Sequence, residues 1–184
     1  MLISRFECKK NNIEEELLIL EQEYDIKLPG QYRRFLIKYN GGWTPKTEFK
    51  CGEESSDLRA FLGLGDVPYS IIKEVVMSDW IERQLFPIAV DSFGNYIAIG
   101  IYEKSGNIYF CDHEKNYKPT QIANTFKEFI DRCKSKKIGK ILTMQEREQI
   151  MIARGKTVDD GLRKIWKTEI DKFGKFKQER AVVD

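Results

Sequence analysis

Three apolar runs in close succession, joined by two tight-turn signals, constrain this chain more than any other feature. They are Phe86-Pro87-Ile88-Ala89-Val90, Tyr96-Ile97-Ala98-Ile99-Gly100-Ile101 and Ile108-Tyr109-Phe110-Cys111. Each has the length of a strand and is rich in β-branched or aromatic residues. Gly94-Asn95 sits at the first junction and Ser105-Gly106-Asn107 at the second, and such residues readily take the backbone angles of a hairpin turn. The spacing predicts a three-stranded antiparallel meander as the centre of a sheet.

Helical patterns surround it. Ile13, Leu17, Leu20 and Tyr24 recur on one face of a 3.6-residue period, with Asn12 and Glu15 at the spacing of a capping pair. Leu28-Pro29-Gly30 opens a second helix, with Tyr32, Phe35, Leu36 and Tyr39 as its apolar stripe and Asn40-Gly41-Gly42 as its stop. Residues 44–57 read as a loop or weak hairpin, 58–64 as a short strand, and 70–83 as a helix. Thr125 and Glu128 cap a further helix whose Phe126, Phe129, Ile130 and Cys133 face the core. Beyond residue 134 the pattern predicts two more capped helices, opened by Thr143/Glu146 and Thr157/Asp160. The second carries a stripe of Val158, Leu162, Ile165, Trp166, Ile170 and Phe173, expected to pack on its own domain. The last ten residues are expected to fray.

Eleven Phe, eight Tyr and three Trp in 184 residues supply a sizeable core and exclude disorder over most of the chain. No apolar run approaches the roughly 20 residues of a membrane span, and the N-terminus lacks the apolar stretch of a secretory signal. A cytoplasmic protein is expected. Cys8, Cys51, Cys111 and Cys133 are dispersed without a CxxC pair and read as reduced, mostly packed thiols. His113 is the single histidine, which removes an HExxH helix and the usual zinc sites.

Charge is unevenly spread. Residues 1–133 hold 17 Lys+Arg against 21 Asp+Glu, a net of −4, while residues 134–184 hold 14 against 8, a net of +6. An acidic body disfavours nucleic acid and favours basic partners. The tail's basic groups are interleaved with acids, as on a solvated helix surface.

Little in the sequence carries chemistry. Asp112-His113-Glu114 places an imidazole between carboxylates, but no reacting group within reach can be named for it. Glu53, Glu54, Asp57 and Asp66 lack the ligand spacing of a calcium loop, and the glycines form no phosphate-cradling motif. No catalytic residue, metal or cofactor is therefore assigned. An acid-rimmed aromatic surface suits a basic protein partner, because desolvated aromatics supply energy while charge steers encounter. The candidate contacts are Trp43, Glu53, Glu54, Asp57, Asp79, Trp80, Glu82, Asp91, Asp112, His113 and Glu114. Nothing in their spacing places them on one face.

The motifs also occur in a telling order. Leu28-Pro29-x-x-Tyr32-x-x-Phe35-Leu36-x-x-x-Asn40-Gly41-Gly42 is followed by Phe61-Leu62-Gly63-Leu64, then Phe86-Pro87-Ile88-Ala89-x-Asp91-x-x-Gly94-Asn95. Ile108-Tyr109-Phe110-x-Asp112-His113-Glu114 and Ile122-Ala123-Asn124-Thr125-Phe126-x-x-Phe129 complete the series, over roughly residues 10–133. The set resembles the SUKH superfamily, which includes the yeast cell-wall-assembly regulator and many bacterial immunity proteins. The resemblance implies an α+β fold, a mainly antiparallel sheet with flanking helices, here carrying a C-terminal helical appendage. It implies a non-enzymatic role: direct binding and neutralisation of a cognate toxin, often a nuclease with a basic active-site face. The alternative it leaves open is a regulatory scaffold of the cell-wall-assembly type. Residues 1–133 form the expected domain. Residues 134–184 lie outside the family pattern and are expected to pack on that domain, with self-association or toxin contact as the other options.

Overall fold

The computed structural model describes residues 1–7, 12–76 and 78–184, so Cys8 lies outside the described residues, as does Met77 within the helix expected over 70–83. The chain divides into two compact units. One comprises Met1–Lys136 together with Gln178–Asp184, the other Lys137–Lys177.

The first unit is built on a seven-stranded antiparallel sheet. Its strands are β2 (Gly42–Cys51), β3 (Glu54–Phe61), β4 (Leu85–Val90), β5 (Tyr96–Gly100), β6 (Ile108–Asp112), β7 (Lys118–Ala123) and β8 (Lys134–Ser135). They lie in the order β7-β6-β5-β4-β3-β2-β8. The expected meander is β4-β5-β6, with Ala98 opposite both Pro87 and Tyr109. A separate two-stranded pair joins β1 (Leu2–Ile3) to β9 (Glu179–Arg180).

Alternation along each strand gives the sheet two faces. One face is covered by α1 (Ile13–Glu23), α2 (Gly30–Tyr39) and α4 (Phe126–Arg132), each amphipathic as its spacing predicts. Leu17, Leu20, Tyr32, Phe35, Leu36, Phe126 and Phe129 from these helices meet Phe61, Phe86, Ile97, Ile99 and Ile108 in the main core. Asn12 and Thr125 cap α1 and α4 by accepting from the Glu15 and Glu128 amides. Asn40 ends α2 in the left-handed conformation at φ 48, and its buried side chain is bonded twice to Leu64. Opposite the helices lies a smaller cluster of Trp80, Leu85, Ala98 and Cys111.

Several expectations are corrected. Of the loop and the weak hairpin left open for residues 44–57, the hairpin forms. It is longer and more fully paired than expected, over residues 42–61, because Thr47, Phe49 and Cys51 point inward while Glu48 and Lys50 point out. The helix read over 70–83 is the short α3 (Ile71–Val76), after which the chain turns so that Trp80 crosses to the smaller cluster. The last ten residues do not fray as a whole. Ala181 is buried, its N–H donates to the Met1 carbonyl, and the Val182 N–H donates to the Tyr39 hydroxyl. Strand β7 lacks an apolar alternation, so no strand pattern marks it in the sequence.

The second unit holds α5 (Met144–Ala153) and α6 (Asp160–Phe173), neither of which has a buried residue. Arg147–Glu169 and Arg163–Glu148 ion pairs, each 2.8 Å, join them, and the Arg147 guanidinium lies over the Trp166 ring. Asp159, not Thr157, caps α6, because the Asp159 carboxylate accepts from the Leu162 N–H at 2.7 Å.

Thr143 and Glu146 form a reciprocal capping box on α5. The Lys140 ammonium, then the Thr143 N–H, hold the Glu146 pKa down to about 2. A carboxylate depressed below its unfolded value of roughly 4.3 stabilises above that pH and loses its contribution as pH falls toward the folded value. Glu146→Gln should therefore make the far-UV ellipticity less negative at neutral pH, with the difference from wild type vanishing as pH falls from about 4.3 to about 2. A difference that persists unchanged at acid pH would refute it.

Candidate functional site

The β4–β5 turn organises one end of the sheet. Asp91 is only 3% exposed. Its Oδ1 accepts from the Phe93 and Asn95 N–H groups at 2.8 and 2.9 Å, closing an Asx turn. Its Oδ2 accepts from the Ser56 hydroxyl at 2.7 Å and the Asn95 amide at 2.6 Å. Since that amide is committed to Asp91, Asn95 Oδ1 is the acceptor toward the residue-113 turn. It receives the His113 N–H at 2.9 Å and lies 2.8 Å from His113 Nδ1, which must therefore carry the proton. Ser56, Asp91, Asn95 and His113 thus form one polar chain linking β3, the β4–β5 turn and the turn after β6. Asp91, expected on a contact surface, is corrected to an internal anchor.

Around this chain the fold gathers acidic groups. Glu53 is exposed at the tip of the β2–β3 hairpin, with Glu54 half-buried beside it. Asp57 accepts from the Ser92 N–H at 2.9 Å. Asp112 accepts from the Glu114 N–H and pairs with Lys115 at 3.1 Å, and the Lys115 hydrogen bond is the main reason its pKa is lowered. Lys115 also feels the Glu54 charge. Five of the predicted carboxylates, with His113, therefore share one rim.

Tyr117 belongs to the turn that follows, its N–H donating to the Asp112 carbonyl at 2.8 Å. It leads to a cleft of about 210 Å³ on the sheet face away from α1, α2 and α4, lined by Glu74, Ser78, Asp79, Trp80, Arg83, Tyr96 and Tyr117. The Trp80–Tyr96 ring centroids are 5.3 Å apart, Tyr96–Tyr117 5.6 Å and Trp80–Tyr117 6.2 Å. Arg83 Nε donates to Asp79 at 2.9 Å, and its Nη1 to the Tyr117 carbonyl at 3.2 Å. The Tyr96 hydroxyl donates to Glu74, and burial followed by this carboxylate raises the phenol's pKa.

Of the sequence candidates, Asp79 and Trp80 meet in this cleft. Trp80 is 4% exposed and so belongs to its floor rather than to an open surface. Glu82 is exposed on the same connection. Trp43 stands apart, packed edge-on against Phe6 and Tyr69. Sequence reading missed Glu74, Arg83, Tyr96 and Tyr117, because only the fold brings α3, β5 and the residue-117 turn together. Cys111, under the cleft, has its thiol pushed up to about 12 by burial. Cys51, Cys111 and Cys133 are all free and buried.

The model of the SMI1-KNR4 cell-wall family, SUKH_6, matches residues 14–130. The chain belongs to the SUKH superfamily. The matched stretch takes in α1 to β7 and most of α4, and it ends before the α5–α6 unit. The chain is also similar to the SPbeta prophage-derived uncharacterized protein YokK of Bacillus subtilis (strain 168). It is 31% identical over 142 residues, covering 65% of this chain and 73% of that protein. No solved structure matches the chain. Among the described residues, no helix is long and apolar enough to cross a membrane, and no three His, Cys, Asp or Glu side chains converge as metal ligands.

Proposed function

We propose that this SUKH protein is an immunity protein that acts in the cytoplasm, without turnover, by binding and occluding a cognate toxin. The observation that carries the reading is the acidic rim, assembled on a fold whose family includes many toxin-neutralising members. Glu53, Glu54, Asp57, Asp112 and Glu114, with Lys115 paired to Asp112, leave this rim net negative, which complements the basic substrate face of a nuclease. A gene carried on a prophage, as for the Bacillus relative, suits a protective partner better than a housekeeping scaffold.

The first test is capture of the tagged protein from its native cell with partners identified by mass spectrometry. One stoichiometric partner with a toxin-like domain, and growth rescue on co-expression, is the expected result. Several unrelated endogenous partners would replace this reading with the regulatory scaffold that the family description also encompasses.

Association kinetics test the rim. Glu53→Lys combined with Glu54→Lys and Glu114→Lys leaves the backbone-bonding Asp57 and Asp112 intact. At low salt the variant should associate about tenfold more slowly, with a dissociation rate near wild type. The difference should shrink as ionic strength rises, because exposed charges are screened over about 8–10 Å. An unchanged association rate would reject the rim as the steering surface.

A further inference from the structure

The cleft beside the rim has a chemistry of its own. Three aromatic side chains, Trp80, Tyr96 and Tyr117, wall it, and aromatic faces attract cations through their quadrupole. Two carboxylates, Glu74 and Asp79, face one guanidinium, Arg83, leaving a net charge of −1. Arg83 is already committed to Asp79 and to the Tyr117 carbonyl. Glu74 is bonded to a neutral phenol, and among the described residues no cation pairs with it. At about 210 Å³ the space is below the roughly 300–1,000 Å³ of sites that take drug-sized molecules. It suits a single side chain.

We propose that this cleft receives one lysine or arginine side chain of the partner protein, its charged head against Glu74 and its stem against Trp80, Tyr96 and Tyr117. The proposal rests on the binding reading above and names the feature of the partner that the cleft recognises. A rim charge acts at a distance and mainly on encounter. A cation seated on aromatics beside a half-buried carboxylate must leave the cleft before the complex parts, so its contribution falls on the dissociation rate.

The test uses the full-length, ¹⁵N-labelled protein and three probes: N-acetyl-lysine methylamide, N-acetyl-arginine methylamide and the neutral N-acetyl-norleucine methylamide. The cationic probes should shift the Trp80 indole N–H and the Tyr117 amide in a saturable manner, while the norleucine probe leaves both in place. Glu74→Gln keeps an oxygen acceptor for the Tyr96 hydroxyl and so should preserve the spectrum elsewhere. It should weaken the cationic probes about tenfold. Equal shifts from the norleucine probe, or cationic binding indifferent to Glu74→Gln, would overturn the proposal.

With a captured toxin the same variant should raise Kd about tenfold, chiefly through faster dissociation. Wild-type toxin affinity in Glu74→Gln, with no probe binding, would remove the cleft and leave the immunity reading standing. Cationic probe binding in a protein that captures no toxin would do the reverse.

Discussion

Phe126→Ala should destabilise the protein by about 3–5 kcal/mol, the range for removing a large aromatic from a packed core. Phe126 is fully buried at the first turn of α4. Its ring centroid lies 5.4 Å from Tyr32, 5.0 Å from Phe35 and 6.0 Å from Phe61. One side chain therefore ties α4 to α2 and to β3. Truncation loses the transfer energy of the ring and leaves a cavity whose walls, being other aromatics held by the sheet, have little freedom to collapse. The expected loss is a large part of the roughly 5–15 kcal/mol that holds a domain folded. Urea titration followed by circular dichroism should show a midpoint shift to match, and Phe126→Leu should recover more than half of it. A loss below about 1 kcal/mol would mean that the α2–α4–sheet junction is not the centre of the core.

Such junctions are partly legible in advance, and particular residues show where legibility ends. The meander rests on turn chemistry confined to a few neighbouring residues, so Gly94-Asn95 and residues 105–107 sufficed to place it. The caps at Asn12, Thr125 and Thr143 are equally local, since each hydroxyl or amide reaches an N–H three residues on. Asp159 displaced the expected Thr157 because two capping residues compete within three positions and the backbone decides between them. Within the helix expected over 70–83, Ile72, Val75, Val76 and Trp80 fall on one side at a helical period, yet Trp80 gains more by covering Leu85, Ala98 and Cys111 on the sheet's other face. Strand β9 pairs with β1 from the opposite end of the chain, and no local pattern encodes a partner that distant. The same holds for the cleft. Asp79 and Trp80 were visible as an acidic–aromatic pair, but Glu74, Tyr96 and Tyr117 join them only through the fold.

Asp91 shows the opposite error, a polar residue assigned outward that the fold turns in, and its removal carries the second large expected effect. Asp91→Ala strips the acceptor from the Phe93 and Asn95 N–H groups, the Ser56 hydroxyl and the Asn95 side chain at once. Stranded buried donors each cost about 1–3 kcal/mol, and because these share one site the sum is less than additive. A net loss of about 3–5 kcal/mol is expected, comparable to breaking other buried charged networks. Asp91→Asn retains one oxygen acceptor and should lose about half as much. The distinguishing signature lies at His113, whose imidazole is oriented through Asn95. Asp91→Ala and Asn95→Ala should each change the His113 imidazole and backbone amide chemical shifts. In a double-mutant cycle the pair should couple by about 0.5–3 kcal/mol. Partner association should then slow in Asp91→Ala although Asp91 is buried, because the rim it anchors is no longer held in register. Unperturbed His113 signals, or additive losses, would break the proposed link between the internal chain and the acidic rim.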